Sequence, residues 1–257
     1  MRQICFLLIT ILAGSGAVAA CHASGPAGAS GAEAPGILIF SHTTGWRHDS
    51  IETGIAALTG LARANGYTVV ASEDPDVFTD EALDAFDAVI LLNTTTGHEG
   101  EQWFIGPRGE AFQDFVREGK GVVAIHGAAD SHYDWPWYGE MIGGWFERHP
   151  EGTPEGELTV IDRTHPSTIG LAKEFMRVDE WYWIQDFSVP DGLLVTLDPT
   201  SIGEAGGARP ISWWHEFEGG RVFYTAMGHT KETYSDPLFL DHVEGGLEWA
   251  LGLSRLE

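Results

Sequence analysis

The chain has 257 residues, with 38 Asp and Glu against 14 Lys and Arg, and a formal net charge of −24. No basic stripe is available to neutralise phosphates, which argues against nucleic acid and anionic lipid surfaces as partners. Both cysteines, Cys5 and Cys21, lie in the N-terminal segment, so the domain that follows has neither a disulfide nor a thiol nucleophile. Its stability must come from a core, which 43% hydrophobic residues with 10 Trp and 13 Phe can supply.

Residues 1–20 (MRQICFLLITILAGSGAVAA) open with Arg2, continue through an apolar run and end in small residues. That is the pattern of a secretory signal, too short and too poorly flanked for a stable membrane anchor. Val18-Ala19-Ala20-Cys21 resembles a bacterial lipobox, which would make Cys21 a lipidated first residue and the sole membrane attachment. An ordinary small-residue cleavage site is the alternative. Residues 22–35 (HASGPAGASGAEAP) read as a flexible tether, and one domain is expected over residues 36–254. The protein is accordingly expected to be exported and held at a membrane in the periplasm or at the cell surface.

Residues 36–41 form an apolar run bounded by Pro35, consistent with a buried parallel strand. Asp49 and Glu52 read as a capping box for a helix that carries Ile51, Ile55, Leu58 and Ala62 on one face. Asn65-Gly66 ends it. A strand at 68–71, a weak helix at 80–86 and a strand at 88–92 follow. A helix at 107–118 and a strand at 121–125 complete the first half. This alternation predicts an α/β fold with an open, mostly parallel sheet and helices on both faces. The second half reads as strands at 157–161, 177–184, 193–197, 210–217 and 221–226. Glu218-Gly219-Gly220 marks a hairpin between the last two, and a closing helix spans 237–251.

In such sheets ligands bind beyond the carboxyl ends of the parallel strands. His42 follows the first strand, Asn93 the third, His126 the fourth and Met227-Gly228-His229 the last. Taken singly, each histidine reads as a hydrogen-bonded core residue. Three at equivalent strand ends point to a site, where imidazole can serve as base, acid or metal ligand. Trp46, Arg47 and His48 lie on the loop after the first strand, placed to cover or bind a ligand. His149-Pro150 and His165-Pro166 read as surface turns. Asp179-Glu180, taken as part of a strand, would face opposite sides, one into a pocket and one to solvent. The tryptophans 181, 183, 213 and 214 read as core or as a stacking wall. No Gly-x-Gly-x-x-Gly loop and no phosphate loop occurs, so no nucleotide cofactor is expected. The Gly-x-Ser-x-Gly elbow is also missing, although Ala124-Ile125-His126-Gly127-Ala128 has an elbow's form with His126 at its tip.

At these residues the sequence resembles the trehalose-utilisation (ThuA-like) family. The resemblance rests on FSHTTGWRHDSI (40–51), GKGVVAIHGA (119–128), FERHP (146–150), VDEWY (178–182) and the ordered block at 209–252. It implies a flavodoxin-like fold similar to class I glutamine amidotransferases, whose nucleophilic Cys sits on the elbow held here by His126. With no Cys there, glutamine hydrolysis is not carried over. The resemblance implies action on a sugar or an oxidised sugar such as a 3-keto-glycoside. The shared polar positions are His42, Arg47, His48, His126, His149, Asp179, Glu180 and His229. An enzyme of the keto-glycoside hydrolase or lyase type is therefore expected, with a small carbohydrate as its partner. His126, His42, His229 and Glu180 are the expected catalytic groups, and the same three histidines would hold a divalent metal. Trp46, Arg47, His48, Asn93, His149 and Asp179 are the expected substrate contacts. The alternatives are a non-catalytic tethered sugar-binding module and a structural domain with buried histidines.

Overall fold

Short apolar runs without alternation make strands that must be covered on both faces, and such runs form the middle of this fold. The computed structural model describes residues 33–254; the expected signal, Cys21 and most of the tether lie outside them. Strand β1 (Gly36–Phe40) leads to helix α1 (Ile51–Ala64) and edge strand β2 (Thr68–Ser72). The short α2 (Asp80–Leu83), β3 (Ala88–Leu92), α3 (Pro107–Arg117) and β4 (Gly121–Ile125) follow. Helix α4 (Pro136–Ile142) and β5 (Trp145–Arg148) then precede β6 (Glu155–Val160), β7 (Glu174–Val178) and β8 (Trp183–Gln185). Strands β9 (Leu193–Asp198), β10 (Arg209–Phe217) and β11 (Gly220–Thr225) lead to the closing helix α5 (Pro237–Ala250).

The main sheet has nine strands in the order β2-β1-β3-β4-β11-β10-β9-β6-β7. Pairing is parallel from β2 to β11, where β1, β3 and β4 are entirely buried, and antiparallel from β11 to β7. Helices α1 and α5 touch each other and pack on the parallel strands. Helix α3 meets α4 through Phe112 and Trp137, with ring centroids 5.9 Å apart. A separate two-stranded ribbon, β5 with β8, sits beside the sheet. Among the described residues no helix is long and apolar enough to cross a membrane.

Three sequence expectations need correction. The run at 177–184 is not one strand: β7 stops at Val178, β8 starts at Trp183, and Asp179–Tyr182 lie in the break. Asp49 does not cap α1, because its carboxylate takes Lys231 Nζ at 2.8 Å, while Glu52 takes Arg47 at 2.8 Å. His165 is fully buried, stacked against Trp214 at 5.7 Å. Helix α4 and strand β5 were not legible in advance. They depend on Gly139, where any Cβ would stand about 2.0 Å from the Trp145 ring.

His165 and His242 fill the space between α5 and the sheet, and His132 sits in an aromatic box with Trp103 and Tyr138. Burial lowers the imidazole pKa to about 3 for His132 and His165 and to about 4 for His242. These rings stay neutral in the fold where the unfolded chain protonates near 6.5. The unfolded state therefore binds more protons below that pH. Stability is at its plateau above about pH 7 and falls as pH drops from 6.5 toward 4, by roughly 1.4 kcal/mol per pH unit per histidine. Urea unfolding at pH 7 and pH 5 should show a clear loss of midpoint at pH 5. The loss should be smaller in His165→Asn, and equal midpoints at the two pH values would contradict the argument.

Candidate active site

The carboxyl ends of β1, β3, β4 and β11 meet at one edge of the sheet, and the segments that follow them build the site. Directly after β4, His126 adopts φ 46 and is fully buried. Its Nδ1 lies 2.6 Å from the Ala226 carbonyl. A carbonyl only accepts, so Nδ1 carries the hydrogen and Nε2 presents a lone pair. That Nε2 is 3.2 Å from His229 Nδ1 and 3.4 Å from Glu180 Oε2, and His229 Nδ1 is 3.1 Å from the same oxygen. His48 stands edge-on to both rings, with centroids 4.9 Å from His126 and 5.2 Å from His229. One ligand atom from each of His48, His126, Glu180 and His229 lies within 4.8 Å of all the others.

Two buried polar side chains hold this arrangement. Asp179 accepts from the backbone N–H groups of Gly228 at 2.9 Å and His229 at 3.0 Å, and from Thr233 Oγ1 at 3.2 Å. It also accepts from the Glu180 N–H at 3.0 Å, so one carboxylate fixes both Glu180 and His229. Asn93 accepts from the Gly127 N–H at 3.2 Å and donates to the Gly228 carbonyl at 3.1 Å and Ser50 Oγ at 3.2 Å. Gly127 is tightly enclosed, and a Cβ there would press on Thr95 at 3.0 Å and His48 at 3.1 Å.

The electrostatics follow from the same contacts. Burial alone would raise the Glu180 carboxyl, but the imidazoles of His126 and His229 outweigh it and hold the group well below the usual carboxylate range. His229 shows the reciprocal shift: burial opposes its charge, and Glu180 raises it. Burial and the neighbouring imidazoles lower His48 to about 2, so its ring is neutral at ordinary pH. Its Nδ1 is buried and has no hydrogen-bond partner among the described residues. An ionised carboxylate thus faces a lone pair on His126 Nε2 and the neutral ring of His48, an arrangement suited to a cation.

Above the cluster opens a pocket of about 470 Å³, lined by Trp46, His48, Asp130, Phe146, His149, Glu180, Tyr182 and His229. Tyr182 packs against His126 at 4.1 Å and against Phe146 at 4.3 Å, giving one wall an aromatic face. Trp46 is 70% exposed at the rim. A larger groove of about 820 Å³, lined by Trp214, Arg221 and Trp249, opens at the other end of β11 and contains none of these groups.

Of the residues singled out in the sequence, His126, His229, Glu180, His48, His149 and Trp46 come together here. His42 does not. Ser41 N–H donates to the Ser72 carbonyl at 3.2 Å, which keeps the chain against β2. The His42 ring then meets the Glu73 carbonyl at 2.7 Å and Trp103 at 5.1 Å, and His48 is the third imidazole of the cluster. Arg47 is likewise directed away, paired with Glu73 at 2.8 Å and with Glu52. Asn93 and Asp179 support the site rather than line the pocket. Asp130, Phe146 and Tyr182 were missed, although Phe146 and Tyr182 lie in the quoted FERHP and VDEWY blocks and Asp130 follows the His126 turn.

Residues 36–250 match the ThuA family model, described as trehalose utilisation. A ThuA-like protein from Bacteroides uniformis is 22% identical with a TM-score of 0.69, over 87% of this chain and 95% of that one. Another, from Parabacteroides merdae, is 19% identical with a TM-score of 0.69, over 88% of this chain and 92% of that one. The β-galactosidase from Rahnella sp. R3 overlaps 87% of this chain with 32% of its own, at 17% identity and a TM-score of 0.56. At these identities the solved structures speak for the fold, which is glutamine amidotransferase-like as expected. A comparison with curated proteins found no match. The match over nearly all of the folded part makes this chain a member of the ThuA, or trehalose-utilisation, family.

Proposed function

We propose that this protein acts on a disaccharide or 3-keto-glycoside as a keto-glycoside hydrolase or lyase, with His48, His126, His229 and Glu180 holding a divalent cation at the pocket floor. The observation that carries this reading is the cluster itself: three imidazoles and one carboxylate with ligand atoms within 4.8 Å of one another. Family membership supports the carbohydrate-related role. The residues fit a cation on chemical grounds. Nitrogen and oxygen donors in this ratio suit zinc and its divalent neighbours, and the His126 Nδ1–H to Ala226 contact is the outer hydrogen bond that fixes a ligand's tautomer. Such a cation supplies Lewis acidity toward a sugar carbonyl or hydroxyl oxygen.

The chain's own groups do the rest. Trp46, Phe146 and Tyr182 offer apolar faces to a pyranose ring, while His149 and Asp130 offer polar edges. Asp179 and Asn93 keep His229 and His126 in place without reaching the ligand. The domain contains no cysteine, so glutamine hydrolysis has no nucleophile. The exposed Trp46 favours the second reading, a tethered sugar-binding module without turnover. In either case we place the protein outside the cytoplasm, attached through Cys21.

His126→Ala should abolish turnover of a 3-keto-glucoside while leaving the circular dichroism spectrum unchanged; retained turnover would remove His126 from the chemistry. Calorimetry with disaccharides and 3-keto sugars separates the two readings, since binding by the wild type without product favours the module. Zinc or manganese at about 100 times its Kd should stabilise the wild type by about 2.7 kcal/mol. His48→Ala and Glu180→Gln should each lose most of that gain, and a wild type indifferent to every divalent metal would overturn the cation. Cys21→Ser should move the protein from the membrane fraction to the soluble exported fraction, as read by fractionation and labelled-palmitate incorporation.

A further inference from the structure

The pocket contains a second carboxyl whose surroundings are opposite to those of Glu180. Asp130 ends the short turn that begins at His126, and its backbone carbonyl is pinned by the N–H groups of Thr96 at 3.1 Å and Gly97 at 3.0 Å. Its side chain lines the pocket with Phe146, Tyr182 and Glu180. The hydroxyl of Tyr133 lies 2.7 Å from Asp130 Oδ1 and 2.9 Å from the Phe146 carbonyl. A phenol has one hydrogen, and a main-chain carbonyl can only accept. Both contacts are satisfied as full hydrogen bonds when Tyr133 donates to Phe146 and Asp130, as a neutral carboxylic acid, donates to the Tyr133 oxygen. His98 stacks on the far side of Tyr133 at 3.8 Å, so the hydroxyl is held in place.

We infer that Asp130 is the proton donor of this pocket: its carboxyl hydrogen leaves Tyr133 for the oxygen of the departing sugar, while the Tyr133 hydroxyl turns from the Phe146 carbonyl to donate to the carboxylate that remains. This rests on the carbohydrate reading given above. The charge environment agrees: burial pushes the Asp130 carboxyl above the usual carboxylate range, against the opposing pull of Tyr133, His98 and His126.

In a lyase step on a 3-keto-glycoside the atoms balance without any oxidant or reductant. The proton on the carbon beside the ketone passes to His149, which lines the pocket with its Nδ1 3.3 Å from Glu180 Oε1. The electron pair left behind forms the double bond to the anomeric carbon. The bond from that carbon to the leaving oxygen breaks, its pair stays on oxygen, and the oxygen takes the Asp130 proton. Asp130 is left as carboxylate and recovers its proton from water, to which His149 returns one.

Asp130→Asn keeps the size and an acceptor oxygen but has no acidic proton. With a 3-keto-disaccharide, whose leaving alcohol needs protonation, it should lower kcat by about 10²–10⁴-fold. With the 4-nitrophenyl 3-keto-glucoside, whose leaving phenolate needs none, kcat should stay within a few-fold of the wild type. Equal losses on both substrates, or no loss on either, would overturn the assignment. A ¹³C-carboxyl NMR titration of the full chain gives a readout independent of turnover: Asp130 should remain protonated through the range where ordinary carboxyls ionise. An ordinary midpoint overturns the donor role even if the enzyme turns sugars over. A raised midpoint in a protein that turns over neither substrate overturns the carbohydrate reading, and the donor role with it, while leaving the proton's location established.

Discussion

One buried carboxylate decides the geometry on which everything else depends. Asp179 lies where the chain leaves β7, and it gathers N–H groups from Glu180, Gly228 and His229 around its two oxygens. It thereby joins the outer edge of the antiparallel wing to the loop that follows β11. The wing strand and the parallel strand are far apart in the sheet order, and this clasp, together with the Arg177–Asp236 ion pair at 2.6 Å, brings Glu180 to within 3.1 Å of His229. A buried carboxylate is costly unless its lone pairs are filled, and here backbone amides and a threonine hydroxyl fill them. Rigid placement of two reactive side chains is what that satisfied burial produces.

The parallel half of the fold was legible because its information is local. Strands at 88–92 and 121–125 are uninterrupted apolar runs between turn residues, and their observed limits are Ala88–Leu92 and Gly121–Ile125. The histidines at the ends of β4 and β11 followed from the rule that parallel strands end at one edge. Where a strand-end side chain points is not local. His42 and His48 lie on one loop, and the Ser41 to Ser72 hydrogen bond, with the His42 contacts to Glu73 and Trp103, turns the first toward β2. The segment DEWYWIQ reads as one aromatic-rich strand, and its interruption is a tertiary fact imposed by the Asp179 clasp. Asp130 was illegible for a similar reason: the Tyr133 and Phe146 groups that give it meaning come from α4's approach and from β5.

The pocket also bears on the overall charge. A chain at −24 surrounds the site with a field that attracts cations, while the cluster itself offers one carboxylate and three imidazoles. Among these, Glu180 carries the charge and His48 stays neutral. The exposed acidic surface therefore favours solubility and draws cations near.

The elbow after β4 shows what a histidine does in a place that other members of this fold type give to a nucleophile. A nucleophile's reacting atom must be reachable, yet His126 is fully buried, with Tyr182 against one face. Its Nδ1 is committed to Ala226 and its carbonyl to the Tyr224 hydroxyl at 2.9 Å. The left-handed backbone at φ 46 costs about 1–3 kcal/mol, and these contacts over-determine it. What remains free is a single nitrogen lone pair with a fixed direction. Such a group is poor at attack and well placed to hold something still. In this molecule the elbow is an anchoring point.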